Sequence, residues 1–151
     1  MTKKHVAIEV MPRALWVVVG FTLFFAEKWS GHNFAVTSNV WLGTLGSNLL
    51  VVGLYFLYWT FRFLLKPMFT KELVTTGPYA FARHPMYVAI YLALIGLGFL
   101  IGSVVWFLVL VAFIPVWYLD CRLEEGQMTD LWGTQYLTYK KKVGMFFPHS
   151  F

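Results

Sequence analysis

Cysteine is nearly absent from this chain. Cys121 stands alone, so no internal disulfide can form, and cysteine usage gives no support to an oxidising compartment. Charge is scarce as well: Asp, Glu, Lys and Arg make up 13% of 151 residues, against about 25% in average usage. Histidines are few and scattered, at 5, 32, 84 and 149, without paired spacing, so no metal site is expected. There is no glycine-rich phosphate loop, no dinucleotide fingerprint and no serine-nucleophile motif. Internal repeats and low-complexity segments are missing too.

What fills the chain is apolar. Hydrophobic residues make up 59% and the mean hydropathy is +0.66, which marks an all-α, integral membrane protein forming a single domain over residues 1–151. Four apolar segments predict about four spans: Ala14 to Trp29, Trp41 to Leu65, Pro85 to Ile101 and Val104 to Tyr118. A spanning helix wants about 20 residues, so the first and last are short. The first has lysines before it but no small-x-small cleavage site, and is read as a retained helix.

The net charge of +5 does not mark a nucleic-acid binder, because the basic residues sit at the ends of apolar runs. With four spans, Lys3, Lys4, Arg13, Arg62, Lys66, Lys71, Arg83, Arg122, Lys140, Lys141 and Lys142 share one side, and Lys28 is alone on the other. The positive-inside rule makes the crowded side cytoplasmic, with both termini there.

Gly102 and Ser103 are all that separates the third and fourth segments, which predicts a tight helical hairpin with Ser103 as N-cap. In the second segment Gly43 and Ser47 suit close helix approach, and Asn48 is expected to hydrogen-bond a neighbouring helix. Gly96-Leu97-Gly98 is either a pocket wall or a packing notch.

Polar residues gather in two places. In "GPYAFARHPMY", Gly77-Pro78 is turn chemistry, and Pro85 suits the first turn of a helix. Arg83 and His84 then stand at a helix mouth beside unpaired backbone N–H groups, a place suited to an anionic ligand group. The other reading is an interfacial anchor, with Tyr79, Phe81 and Tyr87 in the aromatic belt. After the fourth segment come Glu124 and Glu125, then Tyr136, Tyr139 and a run of three lysines. Carboxylates gain nothing from an anionic leaflet, which favours a site; Lys140 and Lys141 are read as headgroup contacts.

Gly77-Pro78-Tyr79, Arg83-His84-Pro85-x-Tyr87, Gly96-x-Gly98, Glu124-Glu125, Tyr136-x-x-Tyr139-x-x-Lys142-Val143 and Pro148, in that order, resemble the integral membrane methyltransferases. That family joins isoprenylcysteine carboxyl methyltransferases and phospholipid N-methyltransferases. The resemblance implies S-adenosylmethionine bound at the cytosolic edge of the hairpin and closed over by the C-terminal segment. It implies a donor site of Tyr79, His84, Pro85, Tyr87, Gly96, Gly98, Glu124, Glu125, Tyr136, Phe147 and Pro148, with Arg83, Glu124 and Lys142 as catalytic candidates. The sequence departs from the isoprenylcysteine branch at Lys142, often arginine there, at Gly144, commonly proline, and at Thr138, often acidic.

The residue chemistry agrees. Carboxylates can pair the donor's amino group and sulfonium, and Arg83, His84 or helix N–H groups can bind its carboxylate. Phe146, Phe147 and Tyr136 are expected to line an adenine slot. The acceptor is expected to be lipid-borne or lipophilic: a prenylcysteine carboxylate, a phospholipid amine or a small thiol. An amine must first lose a proton, with Glu124 or Glu125 as recipient. Two other readings stand beside this one. The terminal region of membrane sterol reductases also resembles Arg-His-Pro-x-Tyr, with NADPH held by Arg83 and the lysines. A non-enzymatic scaffold would use the same residues only as anchors.

Overall fold

A computed structural model describes residues 40–70 and 72–148, together with seven helical residues between 18 and 29. Of the first expected span, then, only scattered residues are described, and the rest lies outside. The described elements are all helical: α1 (Val40–Thr70), a 3-10 turn (Gly77–Ala80), α2 (Pro85–Ile101), α3 (Val104–Trp132) and α4 (Thr134–Lys142). Val40–Leu65 and Val104–Trp132 are each long and apolar enough to cross a bilayer; Pro85–Ile101 is a shorter apolar helix.

α1 and α2 pack backbone to backbone. A Cβ on Gly46 would stand 2.8 Å from Phe99 Cβ, one on Gly53 would stand 2.5 Å from Ala93 N, and one on Gly96 would press on Leu50 N. The two α1 glycines are seven residues apart, two helical turns, so they present the same face. Small residues here let the axes approach closely, which is how apolar helices associate where lipid is as greasy as leucine. This corrects the expected notch. Nothing lies within 4 Å of a Cβ built on Gly43, and Ser47 Oγ donates to the Gly43 carbonyl at 2.9 Å. Asn48 likewise serves its own helix, donating to the Thr44 carbonyl at 2.9 Å. Both are exposed, and short polar side chains there reach back to the preceding turn.

The α2–α3 hairpin forms as its sequence predicts. Gly102 takes the left-handed conformation (φ 67°), and Ser103 Oγ accepts from Trp106 N at 3.1 Å. Gly98 leaves room beneath Trp106 and Phe107, and Trp106 Nε1 donates to the Leu94 carbonyl at 2.9 Å. Gly96 and Gly98 are therefore packing notches, one against each neighbouring helix.

α3 is longer than expected. It does not stop at Tyr118 but runs 29 residues to Trp132, about 44 Å at 1.5 Å per residue, against about 30 Å of hydrocarbon. No proline interrupts the stretch after Tyr118, and Gly133, with φ 52°, ends it. The acidic pair thus rides on the extension of a helix long and apolar enough to span, and α4 folds back from the break.

Candidate functional site

Pro85 begins α2 and His84 caps it, so the two residues before the helix are fixed in direction. Their backbone is held from the far end of the chain: Arg83 N donates to Gly144 O at 2.9 Å and His84 N to Met145 O at 3.0 Å. The C-terminal stretch thereby closes against the mouth of α2. α4 docks through Tyr136, Tyr139 and Val143, all buried, which pack on Leu73, Met128 and Trp132. The Tyr139 hydroxyl donates to Tyr79 O at 2.6 Å, tying α4 to the 3-10 turn.

Within this clamp the polar side chains converge. Glu125 is 1% exposed and is neutralised from two sides: Arg83 Nη2 lies 2.9 Å from Oε1, and Lys140 Nζ 2.5 Å from Oε2. Arg83 Nη1 also donates to the Lys140 carbonyl at 3.0 Å. His84 sits between the carboxylates, with Nδ1 3.5 Å from Glu124 Oε2 and Nε2 3.6 Å from Glu125 Oε1. Those separations are too long for hydrogen bonds. Glu124 differs from its neighbour: its side chain is 33% exposed, and Tyr87 donates to its Oε1 at 2.7 Å.

Among the described residues five buried side-chain atoms have no hydrogen-bond partner: the two Glu125 oxygens, which are ion-paired, and Arg83 Nε, His84 Nε2 and the Tyr136 hydroxyl. The phenols of the clamp hold their protons. Burial pushes Tyr139 up to about 12, with Arg83 opposing and Glu125 assisting. Burial, then Tyr139 and Glu124, raises Tyr79. Burial and then Glu125 raise Tyr136 against the pull of Arg83.

Tyr87 also belongs to a second feature, an apolar slot of about 380 Å³ between α2 and α3, whose walls include Tyr91, Ile95, Ile114, Trp117, Phe146 and Phe147. Trp117 meets Tyr87 and Tyr91 edge-on, with ring centroids 5.4 and 4.6 Å apart. Phe146 turns back to the ionic cluster, 6.2 Å from the His84 ring. The slot and the cluster are therefore contiguous through Tyr87 and Phe146.

The structure thus brings together Arg83, His84, Tyr87, Glu124 and Glu125, with Tyr79 and Pro85 framing them and Phe147 in the slot wall. Other candidates stand elsewhere. Tyr136 is fully buried in the α4 packing and does not line the slot with Phe146 and Phe147. Gly96 and Gly98 lie about 18 to 21 Å along α2 from His84 at 1.5 Å per residue. Pro148 is exposed and lines none of the described cavities. Lys142 is exposed too, and the lysine that joins the cluster is Lys140, expected to face headgroups. Helix phase explains the exchange: residues 136, 139, 140 and 143 share one face at spacings of three and four, and 142 falls outside it. That spacing was the available signal. Among the described residues, no three His, Cys, Asp or Glu side chains come together as metal ligands.

Comparison with known proteins agrees with the family resemblance. The cobalt-zinc-cadmium resistance protein CzcN of Cupriavidus metallidurans is 31% identical over 134 residues, 87% of this chain and 58% of that protein. The nickel-cobalt-cadmium resistance protein NccN of Alcaligenes xylosoxydans xylosoxydans is 30% identical over 79 residues, 52% of this chain and 37% of that one. The protein-S-isoprenylcysteine O-methyltransferase of Saccharomyces cerevisiae is 30% identical over 77 residues, 50% of this chain and 32% of the enzyme. The chain thus spans from about a third to somewhat over half the length of these relatives. No solved structure matches it. The phospholipid methyltransferase family model matches residues 17–135, most of the chain and the helices up to the start of α4, and the chain belongs to that family.

Proposed function

We propose that this protein transfers a methyl group from S-adenosylmethionine to a lipid-borne or lipophilic acceptor at the cytosolic edge of the bilayer. The observation that carries this reading is the junction of a buried ionic cluster, with polar atoms still unsatisfied, to an apolar aromatic slot. Family membership supports it.

The residues present suit that donor. A buried polar group without a partner costs about 1–3 kcal/mol, and Arg83 Nε and His84 Nε2 are two such groups beside the Glu125 carboxylate. A ligand carboxylate would satisfy them. Glu124, partly exposed and held by Tyr87, is placed to pair a cationic group entering from the slot. The slot's aromatic walls offer a flat, dry surface for a base. When bound, S-adenosylmethionine supplies an electrophilic methyl group on a sulfonium.

The two carboxylates then divide the work. Glu125, pinned between Arg83 and Lys140, holds α4 against α2 and α3 and keeps Arg83 in place. Glu124 aligns the acceptor and, for an amine, takes its proton. Displacement at a methyl group needs little acid–base help beyond that, so the residues contribute chiefly by alignment and by keeping water out. The slot opens beside exposed Ile114 and Phe147, an approach for a lipophilic acceptor. The reductase reading loses support, because Glu125 neutralises both Arg83 and Lys140 and leaves little net positive charge there for a nucleotide phosphate.

The test is transfer itself. Purified protein is incubated with radiolabelled methyl donor and total membrane lipid, or with a prenylcysteine analogue, and the products are separated by thin-layer chromatography. Label in a lipid fraction with the parent, reduced about a hundredfold or more by Glu124→Gln, is expected. No label in either acceptor class, or oxidation of NADPH in place of transfer, would overturn the proposal.

A further inference from the structure

Helix periodicity gives the slot between α2 and α3 a direction and an end. The α2 residues that line it are Tyr87, Val88, Tyr91, Leu92 and Ile95, two rows that step by four along one face. Tyr87 marks the mouth, where its hydroxyl reaches Glu124 at 2.7 Å. Ile95 lies eight residues on, about 12 Å away at 1.5 Å per residue. The next residues on the same face are Gly98 and Phe99, three and four past Ile95, and there the hairpin is shut. Trp106 and Phe107 press on Gly98, where a Cβ would stand 2.6 and 3.0 Å from their rings, and Phe99 meets Phe107 with centroids 5.0 Å apart. The Trp106 indole is pinned in that place, because its Nε1 donates to the Leu94 carbonyl at 2.9 Å.

The α3 wall closes at the same depth. Ile114 is half exposed beside the slot, but Leu110, one turn deeper, is buried, and its carbonyl accepts the Tyr91 hydroxyl at 2.5 Å. The sideways opening therefore belongs to the mouth half. Phe146 and Phe147 come from the C-terminal stretch and give a base its surface at the mouth, which leaves the α2 and α3 walls behind them for a tail. The cavity thus has a carboxylate at its open end and an indole at its blind one.

We propose that Trp106 is the specificity-determining residue of this slot, ending it so that it admits a hydrocarbon tail of about ten carbons. A chain of single bonds advances about 1.2 Å per bond, so about 12 Å takes about ten of them. Trp106 has this role only if the slot receives the acceptor's tail, as proposed above; the length it allows is the new element. Moving a tail from lipid into the slot exchanges one apolar surface for another and contributes little. Fit then decides, since a longer tail meets the indole and a shorter one leaves unfilled space.

Native mass spectrometry of the full-length protein tests this with no methyl donor present, in a steroid-based detergent so that no alkyl detergent competes. Straight-chain primary alcohols from octanol to octadecanol are added together at equal concentration. The parent should retain lengths near decanol in preference, and those about four carbons longer about tenfold less, the misfit of one helical turn. Trp106→Leu should move the preferred length up by about two to four carbons, and Ile95→Phe, which fills the deep end, should move it down by about two. Trp59→Leu, on α1 and outside the slot, should leave it unchanged. Equal retention of all lengths by the parent, as for a tail that turns out past Ile114, would overturn the proposal, and so would no retention of any. A preferred length unmoved by Trp106→Leu and Ile95→Phe would overturn it too; should Trp106→Leu fail to fold, Ile95→Phe decides alone. A transfer assay that fails leaves a length preference standing, and even retention leaves methyl transfer standing, so the two proposals fall separately.

Discussion

Two adjacent glutamates in this chain have different surroundings and therefore different expected phenotypes. Glu125 is buried between two cations, and removing its charge strands the buried Arg83 guanidinium, while Lys140 is partly exposed and can turn to water. Glu125→Gln should destabilise the fold by about 3–5 kcal/mol, read as a lower thermal midpoint in detergent and faster tryptic release of the C-terminal segment. Glu124→Gln should leave that midpoint within about 1 kcal/mol, since the residue is partly exposed, while methyl transfer is lost. Tyr139 adds a pH signature. Its pKa is raised from the ordinary 10.0 to about 12, so the protonated, docked form is favoured; the stabilisation is complete below about 10 and disappears as pH climbs through about 12. Absorbance at 295 nm together with circular dichroism should place this phenol's ionisation, and undocking of α4, near the higher value. Ionisation of all tyrosines near 10 with the helix still docked would contradict it. At this scale the sequence was readable where local order carries the meaning. Arg83, His84 and Tyr87 follow from a turn, a proline and a helix start. Lys140 was not readable from its run of three lysines, because only the phase of α4 distinguishes the inward one.

The helices carry a different lesson. The hairpin was legible because Gly102 and Ser103 leave a single way for the chain to reverse. The length of α3 was not, because hydropathy falls at Asp120 while nothing there breaks a helix; apolarity ended before helicity did. The notch on α1 was misplaced for a related reason, since a glycine paired with a serine four residues on says nothing of which face meets α2. Two substitutions separate the cases. Gly96→Ala pushes a methyl group into the α1 backbone at Leu50 and should cost about 1–3 kcal/mol in thermal unfolding. Gly126→Ala, at an exposed position in the C-terminal part of α3 with open space around it, should gain up to about 1 kcal/mol. A neutral Gly96→Ala would mean the two helices do not meet there.

As a whole, the molecule joins an apolar helical body to a polar clamp built at one end of it. Arg83, Lys140 and the acidic pair all belong to that end, which we propose faces the cytosol on the distribution of basic residues. A fluorescent reporter fused after Phe151 should therefore light up in cells, while a phosphatase that works only outside should stay inactive at the same place; the reverse would invert the topology. We propose that the clamp and the slot together form a cage for a sulfonium nucleotide. Isothermal titration of the purified, folded protein with S-adenosylhomocysteine tests it most directly. Saturable one-to-one binding, weakened about tenfold by Glu124→Gln, is the predicted result, and no heat of binding to the parent at millimolar ligand would contradict it.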